Sequence, residues 1–241
     1  MKPTKSILIL LSLFLMFSCD DNSVEPLVCD EGLTDVDGEC IYICEEGITE
    51  CHYQGDIDVL QDFIDVNESL SGEEPLEIGS QLWIDGRLEW LRLLSNQLTT
   101  LPESIGDLSS LEKLWLSSNQ LTTLPESIGD LSSLEDLSLT INQLTTLPES
   151  IGNLSSLEFL GLSSNQLTSL PESIGNLSSL RILFVSHNQL TTFPESFCNL
   201  SMDWGVENEW SPYSLLISNN QLCSDIPTCI VDYIGEQDCD D

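Results

Sequence analysis

The strongest constraint on the fold of this chain is a 23-residue sequence that recurs four times in succession. The first copy occupies residues 101–123 and reads LPESIGDLSSLEKLWLSSNQLTT, and further copies begin at Leu124, Leu147 and Leu170. A fixed period of this length indicates a solenoid, in which each repeat stacks on its neighbours. Because no single repeat can bury its leucines alone, the two ends of the stack need caps.

One half of the repeat predicts a parallel β-sheet. In Leu114-Trp115-Leu116 two leucines alternate with an outward residue, which is the period-two pattern of a half-buried strand. Asparagines recur where each strand should end, and an amide can hydrogen bond to the backbones of adjacent turns as both donor and acceptor. These asparagines are Asn96, Asn119, Asn142, Asn165, Asn188 and Asn220.

The other half of the repeat predicts a short helical turn. Pro102 suits the first turn of a helix, where no N–H is needed, and Glu103 meets the positive end of the helix dipole. We expect Ile105 and Leu108 to point back into the core. The same reasoning gives the equivalent glutamates a structural role on the convex side: Glu126, Glu149, Glu172 and Glu195.

The pattern LxxLxLxxNxL in these copies resembles the leucine-rich-repeat family in its short form. The resemblance implies an α/β solenoid of horseshoe shape, with a parallel β-sheet on the concave face, short helical turns on the convex face and cysteine-containing caps. Weaker copies flank the four, so we expect six repeats over residues 74–223, the last with an insertion near 202–211. In the first of them, Pro75 begins a PLEIG segment with four extra residues before Leu88.

The amino terminus predicts export. Lys2 and Lys5 precede the apolar run at 7–17, which suits a signal peptide and is too short to cross a hydrocarbon layer of ~30 Å. Residues 1–18 are therefore the predicted signal peptide. Ser18-Cys19 resembles a bacterial lipobox, which implies a lipid on Cys19 that holds an outer-membrane or cell-surface protein. Met16-Phe17 departs from the stricter Leu-Ala pattern, so cleavage at a nearby site and secretion are the alternative.

Cysteines mark both ends of the repeat array. Eight of the nine cysteines remain when Cys19 is set aside, and an even number in an exported chain indicates disulfides. Pairing within each cluster is preferred, and the individual pairs stay open. Residues 19–73 then form an acidic amino-terminal region and cap, and residues 224–241 a carboxy-terminal cap. A zinc site at Cys40 and Cys44 is the alternative, although no second close pair lies nearby. The cysteines are Cys29, Cys40, Cys44, Cys51, Cys198, Cys223, Cys229 and Cys239.

The charge balance excludes one class of partner. The chain has 41 Asp and Glu against six Lys and Arg, a net charge of −35. Phosphate binding needs clustered cations, so nucleic acid is not an expected partner. Lys2 and Lys5 belong to the signal peptide, and the cations of a mature chain are therefore Arg87, Arg92, Lys113 and Arg181.

The sequence predicts no catalytic or metal centre, and no cofactor. His52 and His187 are the only histidines and lie far apart, and the short flanks leave no room for a catalytic domain. Asp65, Asn67 and Ser69 have the spacing that begins a calcium-binding loop, but Leu70 stands where that loop needs glycine and Glu77 comes one position late. A capping helix is the favoured interpretation, with a buried stripe of Val59, Leu60, Phe63 and Ile64.

The outward strand positions are the predicted binding surface. Ligands of this family usually meet the concave sheet, and here its outward residues vary while the framework is nearly invariant. They include Trp, Phe and Arg, which are frequent at binding hot spots. We expect recognition of, or adhesion to, a protein or peptide; the alternative is a passive structural spacer. The predicted ligand-binding residues are Trp90, Arg92, Lys113, Trp115, Phe159, Phe184 and His187.

Structural roles compete with binding at several of these positions. Arg92 is placed to lie over Trp115 as a cation–π pair, and Lys113 to pair with Asp136 in the next strand. The insertion carries Trp204 and Trp210, which either form a second contact loop or pack the carboxy-terminal cap.

Overall fold

The computed structural model describes residues 42–43, 52–200, 215–223, 226–232 and 236–239. All of them belong to one compact unit, residues 41–241. Within these ranges, no helix is long and apolar enough to cross a membrane. The predicted signal peptide, the lipid on Cys19, the amino-terminal cysteines and the insertion with Trp204 and Trp210 lie outside the described residues.

A hairpin and a helix precede the repeats. Strand β1 (Tyr42–Ile43) pairs antiparallel with β2 (His52–Tyr53), and helix α1 (Gln54–Val66) follows directly. The helix packs against the core of the solenoid with the predicted stripe of Val59, Leu60, Phe63 and Ile64. The expectation of a capping helix is confirmed.

Asn67 joins this helix to the repeats. Its buried side-chain amide donates to the carbonyl oxygens of Phe63 at 3.0 Å and Thr100 at 3.1 Å, and accepts from the backbone N–H of Thr99 at 2.9 Å. These bonds satisfy backbone groups at the junction of cap and repeat that would otherwise be buried without partners. Asn67, one of the three residues whose spacing suggested a calcium loop, therefore has a structural role.

The main sheet has seven strands in chain order. Strand β3 is antiparallel to β4, and the strands from β4 onward are parallel, one for each repeat. The strands are β3 (Ser80–Ile84), β4 (Arg87–Arg92), β5 (Lys113–Trp115), β6 (Asp136–Ser138), β7 (Phe159–Gly161), β8 (Ile182–Phe184) and β9 (Leu215–Leu216).

Strand β3 is the one element of this sheet that the sequence analysis did not predict. Asp85 and Gly86 form a two-residue turn, with φ of 49° and 78°, between β3 and β4. Two left-handed residues in a two-residue loop are typical of the tight turns that join antiparallel strands. The extra residues of the first repeat thus form an antiparallel hairpin with β4, and β3 is the edge strand at the amino-terminal end of the sheet.

The convex side carries 3₁₀ helices, which confirms the predicted helical turns. Five of these helices, between residues 103 and 199, each begin directly after a proline, as Glu103–Asp107 does after Pro102. A Cβ on Gly152 would lie 2.4 Å from the carbonyl oxygen of Ser173, so glycine permits adjacent segments to pack closely. The seven 3₁₀ helices of the described residues are Glu68–Leu70, Pro75–Glu77, Glu103–Asp107, Glu126–Asp130, Glu149–Asn153, Glu172–Asn176 and Glu195–Asn199.

The predicted asparagine ladder is confirmed at five of its six positions. Asn119 accepts a hydrogen bond from the backbone N–H of Leu98 in the preceding repeat at 3.0 Å, and donates to the carbonyl oxygens of Leu93 and Leu116 at 2.7 and 2.9 Å. Equivalent bonds form at four further positions. They involve Asn142, Asn165, Asn188 and Asn220.

Two disulfides close the carboxy-terminal end. They join Cys198 to Cys229 and Cys223 to Cys239. Ile230 beside the first bridge is fully buried in the core, and the backbone N–H of Asn219 donates to the carbonyl oxygen of Glu236 at 2.7 Å. The segment after the last strand therefore covers the open end of the solenoid.

Candidate functional site: the concave face

The four cations of the predicted mature chain divide into two groups. Arg87 belongs to the amino-terminal cap, where its Nε lies 2.9 Å from Oδ2 of Asp56, a carboxylate that is only 1 % exposed. The same oxygen accepts the backbone N–H of Leu88 at 2.8 Å. Arg181 is 73 % exposed and lies 3.8 Å from Glu158. The remaining two cations, Arg92 and Lys113, lie on the concave face.

Arg92 and Lys113 form a square with two tryptophans. The strand register places Trp90 beside Lys113 and Arg92 beside Trp115. The Lys113 ammonium lies 4.5 Å from the centre of the Trp90 ring, and the Arg92 guanidinium lies 5.7 Å from that of Trp115. Cation and indole thus alternate along and across β4 and β5. We call these four residues the indole–cation square.

One of the two predicted contacts of these cations is confirmed. Arg92 lies over Trp115 as expected. The expected ion pair of Lys113 with Asp136 is wrong, because no such pair is present among the described residues and Lys113 lies over Trp90 instead. Lys113 has one neighbouring strand on each side, and its flexible stem reaches the indole face.

Strand β3 provides one wall of a hollow above the square. The hollow has a volume of about 190 Å³. Leu82 is the register partner of Trp90 and is 37 % exposed, as is Trp90 itself. Leu82 was not among the predicted site residues, because the sequence pattern did not predict the hairpin. The lining residues are Ser80, Gln81, Leu82, Trp90, Leu91, Arg92, Lys113 and Trp115.

Asp136 on β6 borders the square. Burial raises the pKa of this carboxyl group, while a hydrogen bond from the Trp115 side chain and the charge of Lys113 act in the opposite direction. Its Oδ1 atom is buried without a hydrogen-bond partner.

A second aromatic pair lies further along the sheet. The rings of Phe159 on β7 and Phe184 on β8 pack edge to face, with their centres 5.3 Å apart. A Cβ on Gly161 would lie 3.0 Å from the Phe159 ring, so the missing side chain leaves room for that ring. The centres of Trp90 and Trp115 are 6.2 Å apart.

The four aromatic residues of the predicted binding surface do not form a continuous row, because β6 interrupts it. That strand presents Asp136 and Ser138 outward, between Trp115 and Phe159. The aromatic side chains consequently form two pairs, which lie roughly 10 Å apart at two strand spacings. The concave face therefore has two apolar areas with a polar strand between them.

The turn after each strand has a repeated left-handed residue. His187, a predicted site residue, occupies this position with φ of 57°, and its Nε2 lies 3.3 Å from Nδ2 of Asn219. Ile141 occupies the equivalent position with φ of 59° and is 54 % exposed. Left-handed backbone is unfavourable for a β-branched residue, so Ile141 is strained. The sequence showed an unusual side chain here but not this backbone conformation.

Metal chemistry has no candidate centre in the described part of the chain. Nowhere in it are three or more His, Cys, Asp or Glu side chains placed to hold a metal ion together. The concave face has exposed aromatic rings, two cations and a hollow.

Comparison with known proteins identifies the repeats. The family model described as a leucine-rich repeat region matches residues 81–163, and that described as leucine-rich repeats in two copies matches residues 155–199. No curated protein matches the chain.

Several solved structures are similar. A leucine-rich-repeat protein of Leptospira interrogans is 37 % identical, with 55 % of this chain and 32 % of that chain covered and a TM-score of 0.47. The ectodomain of the receptor kinase SOBIR1 from Arabidopsis thaliana is 29 % identical, with coverages of 63 % and 91 % and a TM-score of 0.52. The BIR2 ectodomain from the same plant is 26 % identical, with coverages of 59 % and 85 % and a TM-score of 0.50.

The chain spans about a third of the length of the Leptospira protein. Its parallel sheet, its asparagine ladder and both family matches rest on the same repeats. Residues 81–199 of this chain are therefore leucine-rich repeats.

Proposed function

We propose that this protein is a non-catalytic binding module displayed outside the cell, which recognises a protein or peptide partner through its concave face. The observation that carries the proposal is the pair of aromatic contacts on that face, Trp90 with Trp115 and Phe159 with Phe184. All four side chains lie at outward strand positions, away from the leucine core.

Outward aromatic rings do little for the solenoid itself. Stacking of repeats buries the leucines and the asparagine ladder, which are nearly identical from copy to copy. Burial of a large apolar side chain by a partner contributes about 1.5–3 kcal/mol. Aromatic residues and arginine also dominate the binding energy of many protein interfaces. These arguments favour recognition over the alternative of a passive spacer.

Two observations support a location outside the cell. The bridges Cys198–Cys229 and Cys223–Cys239 are typical of proteins that fold in oxidising compartments. The similar SOBIR1 and BIR2 structures are both ectodomains. Attachment through a lipid on Cys19 is part of the proposal, and Cys19→Ser should then move the protein from the membrane fraction to the soluble fraction. Unchanged fractionation of that variant would contradict the lipid anchor.

The test of recognition compares two faces of the same molecule. A partner captured with the immobilised chain is titrated against the double variant Trp115→Ala/Phe184→Ala, and we expect its affinity to fall at least tenfold, about 1.4 kcal/mol. The matched control is Glu172→Ala/Glu195→Ala, because both glutamates are exposed on the convex side. The melting temperature of each variant shows that the solenoid is intact. Loss of binding in the control alone would place the recognition surface on the convex side.

A further inference from the structure

We propose that the hollow above the indole–cation square binds an acidic side chain of a peptide, with apolar side chains of the same peptide on both sides of it. This inference rests on the proposed recognition of a peptide by the concave face and names the chemistry of the segment that is recognised. It concerns the hollow formed by β3, β4 and β5.

Arg92 and Lys113 are the cations that remain available for a ligand. Arg87 is paired with Asp56 and Arg181 lies near Glu158, whereas neither concave cation forms an ion pair or a hydrogen bond through its side chain with a described residue. An indole ring attracts a cation through its electron-rich face. Unlike a carboxylate, it does not use up the N–H donors of that cation in directed hydrogen bonds. The two side chains therefore keep their donors for an incoming anion.

The register allows one carboxylate to reach both cations. Arg92 on β4 and Lys113 on β5 occupy diagonal positions of the square. One strand spacing and two residues along the strand separate their Cα atoms, roughly 8 Å, which both long side chains can bridge from opposite sides. A carboxylate accepts several hydrogen bonds, and charged donors make these bonds stronger than neutral ones.

Apolar surface flanks the cations in both directions across the sheet. Leu82 on β3 lies on one side of the square, and Phe159 on β7 lies on the other side, beyond the polar strand β6. At ~4.8 Å per strand and ~3.3 Å per residue, an extended peptide crosses from the square to Leu82 in about two residues and to Phe159 in about three or four. The expected segment therefore has an apolar residue, an acidic residue two positions on, and a second apolar residue four positions after that, so that all three side chains point to the same side of the extended peptide.

The net charge of −35 does not prevent this contact. Exposed charges are largely screened beyond about 8 Å at physiological ionic strength, so distant carboxylates act weakly on a ligand in the hollow. Asp136 is an acidic neighbour of the square, and burial raises the pKa of its carboxyl group, which disfavours its charged form. Contact with Arg92 and Lys113 therefore determines whether the hollow prefers an acidic side chain.

The test uses two blocked peptides that differ in one group. The first is acetyl-Leu-Ser-Glu-Ser-Ser-Ser-Leu-amide, and the second has Gln in place of Glu. Binding to the whole chain is followed by the indole N–H resonances of Trp90 and Trp115 in a titration to millimolar concentration. We expect the Glu peptide to bind at least tenfold more tightly, and this preference to vanish in Arg92→Gln/Lys113→Gln while Arg181→Gln, the matched control, retains it.

Several outcomes overturn the inference. They are equal binding of the two peptides, no binding of either, or a Glu preference that persists without Arg92 and Lys113. A third peptide, with Gln and a free terminal carboxylate, distinguishes the source of the anion; if it binds as tightly as the blocked Glu peptide, the site recognises a chain terminus instead. If these peptides fail while Trp115→Ala/Phe184→Ala still loses a captured partner, the proposed function stands and the acidic ligand is wrong.

Discussion

Replacement of Ile141 by asparagine should make the protein more stable, although it removes an apolar side chain. Ile141 has a backbone φ of 59° and is 54 % exposed, so its side chain gains little from burial. For residues with a Cβ, the left-handed conformation costs roughly 1–2 kcal/mol, and asparagine is among the few that adopt it routinely. We expect Ile141→Asn to raise the free energy of unfolding by about 1 kcal/mol.

The gain is measurable by thermal and urea unfolding. For a chain of this size, about 1 kcal/mol corresponds to a rise in melting temperature of roughly 2–4 °C. Ile141→Val is the matched control, because it keeps the β-branched side chain and hence the strain, and it should leave the melting temperature nearly unchanged. Ser164 occupies the same position in the next repeat with φ of 58°, so Ser164→Asn should have a smaller effect than Ile141→Asn.

A melting temperature that falls in Ile141→Asn, or rises equally in Ile141→Val, would refute this reasoning. The first result would show that contacts of the isoleucine outweigh its strain. The second would show that the gain has nothing to do with the left-handed backbone. Selection for function can retain a strained, exposed residue even though it makes the protein less stable.

Three further predictions concern the caps and the site. Asp56→Ala should destabilise the protein by roughly 3–5 kcal/mol in urea unfolding, because it leaves Arg87 and the backbone N–H of Leu88 without their partner, whereas Asp58→Ala on the exposed side of the helix should cost little. Reduction of the two carboxy-terminal disulfides should lower stability by ~2–4 kcal/mol each, and an unchanged unfolding midpoint after reduction would contradict their stabilising role. Burial raises the pKa of Asp136 above its ordinary value, so the folded state binds a proton at this carboxyl group more tightly than the unfolded state does. The free energy of unfolding should therefore fall as the pH rises from the ordinary pKa of Asp136 to its raised pKa. Asp136→Asn should abolish this part of the pH profile, and an identical profile in the variant would count against it.

The repeated part of the fold was predictable because a fixed period determines the register. Once Leu114 is assigned to the core, the same position of every copy follows, and so do the outward columns that contain Trp115 and Phe184. The asparagine ladder was predictable for the same reason, since each amide serves equivalent backbone groups. Asn96 is only half-buried, because the neighbour before it is a hairpin and not another parallel repeat.

The parts that were not predicted lack this periodicity. Asp85-Gly86 is a strong signal for a tight turn, but it lies inside a segment that the repeat pattern treated as an insertion. The bond between Asp56 and Arg87 joins residues 31 positions apart, which no local pattern reveals. The Lys113 side chain is long enough to reach either neighbouring strand, and in the structure it contacts Trp90. Sequence thus predicts where outward residues lie but not which neighbour each one contacts.

The most direct test of the recognition surface is side-chain footprinting by hydroxyl radicals, with and without a bound partner. Oxidation of Trp90, Trp115, Phe159 and Phe184 should fall in the complex, since these outward rings become covered, while convex residues react as before. Protection confined to the convex 3₁₀ helices, with unchanged oxidation of all four rings, would contradict recognition through the concave face.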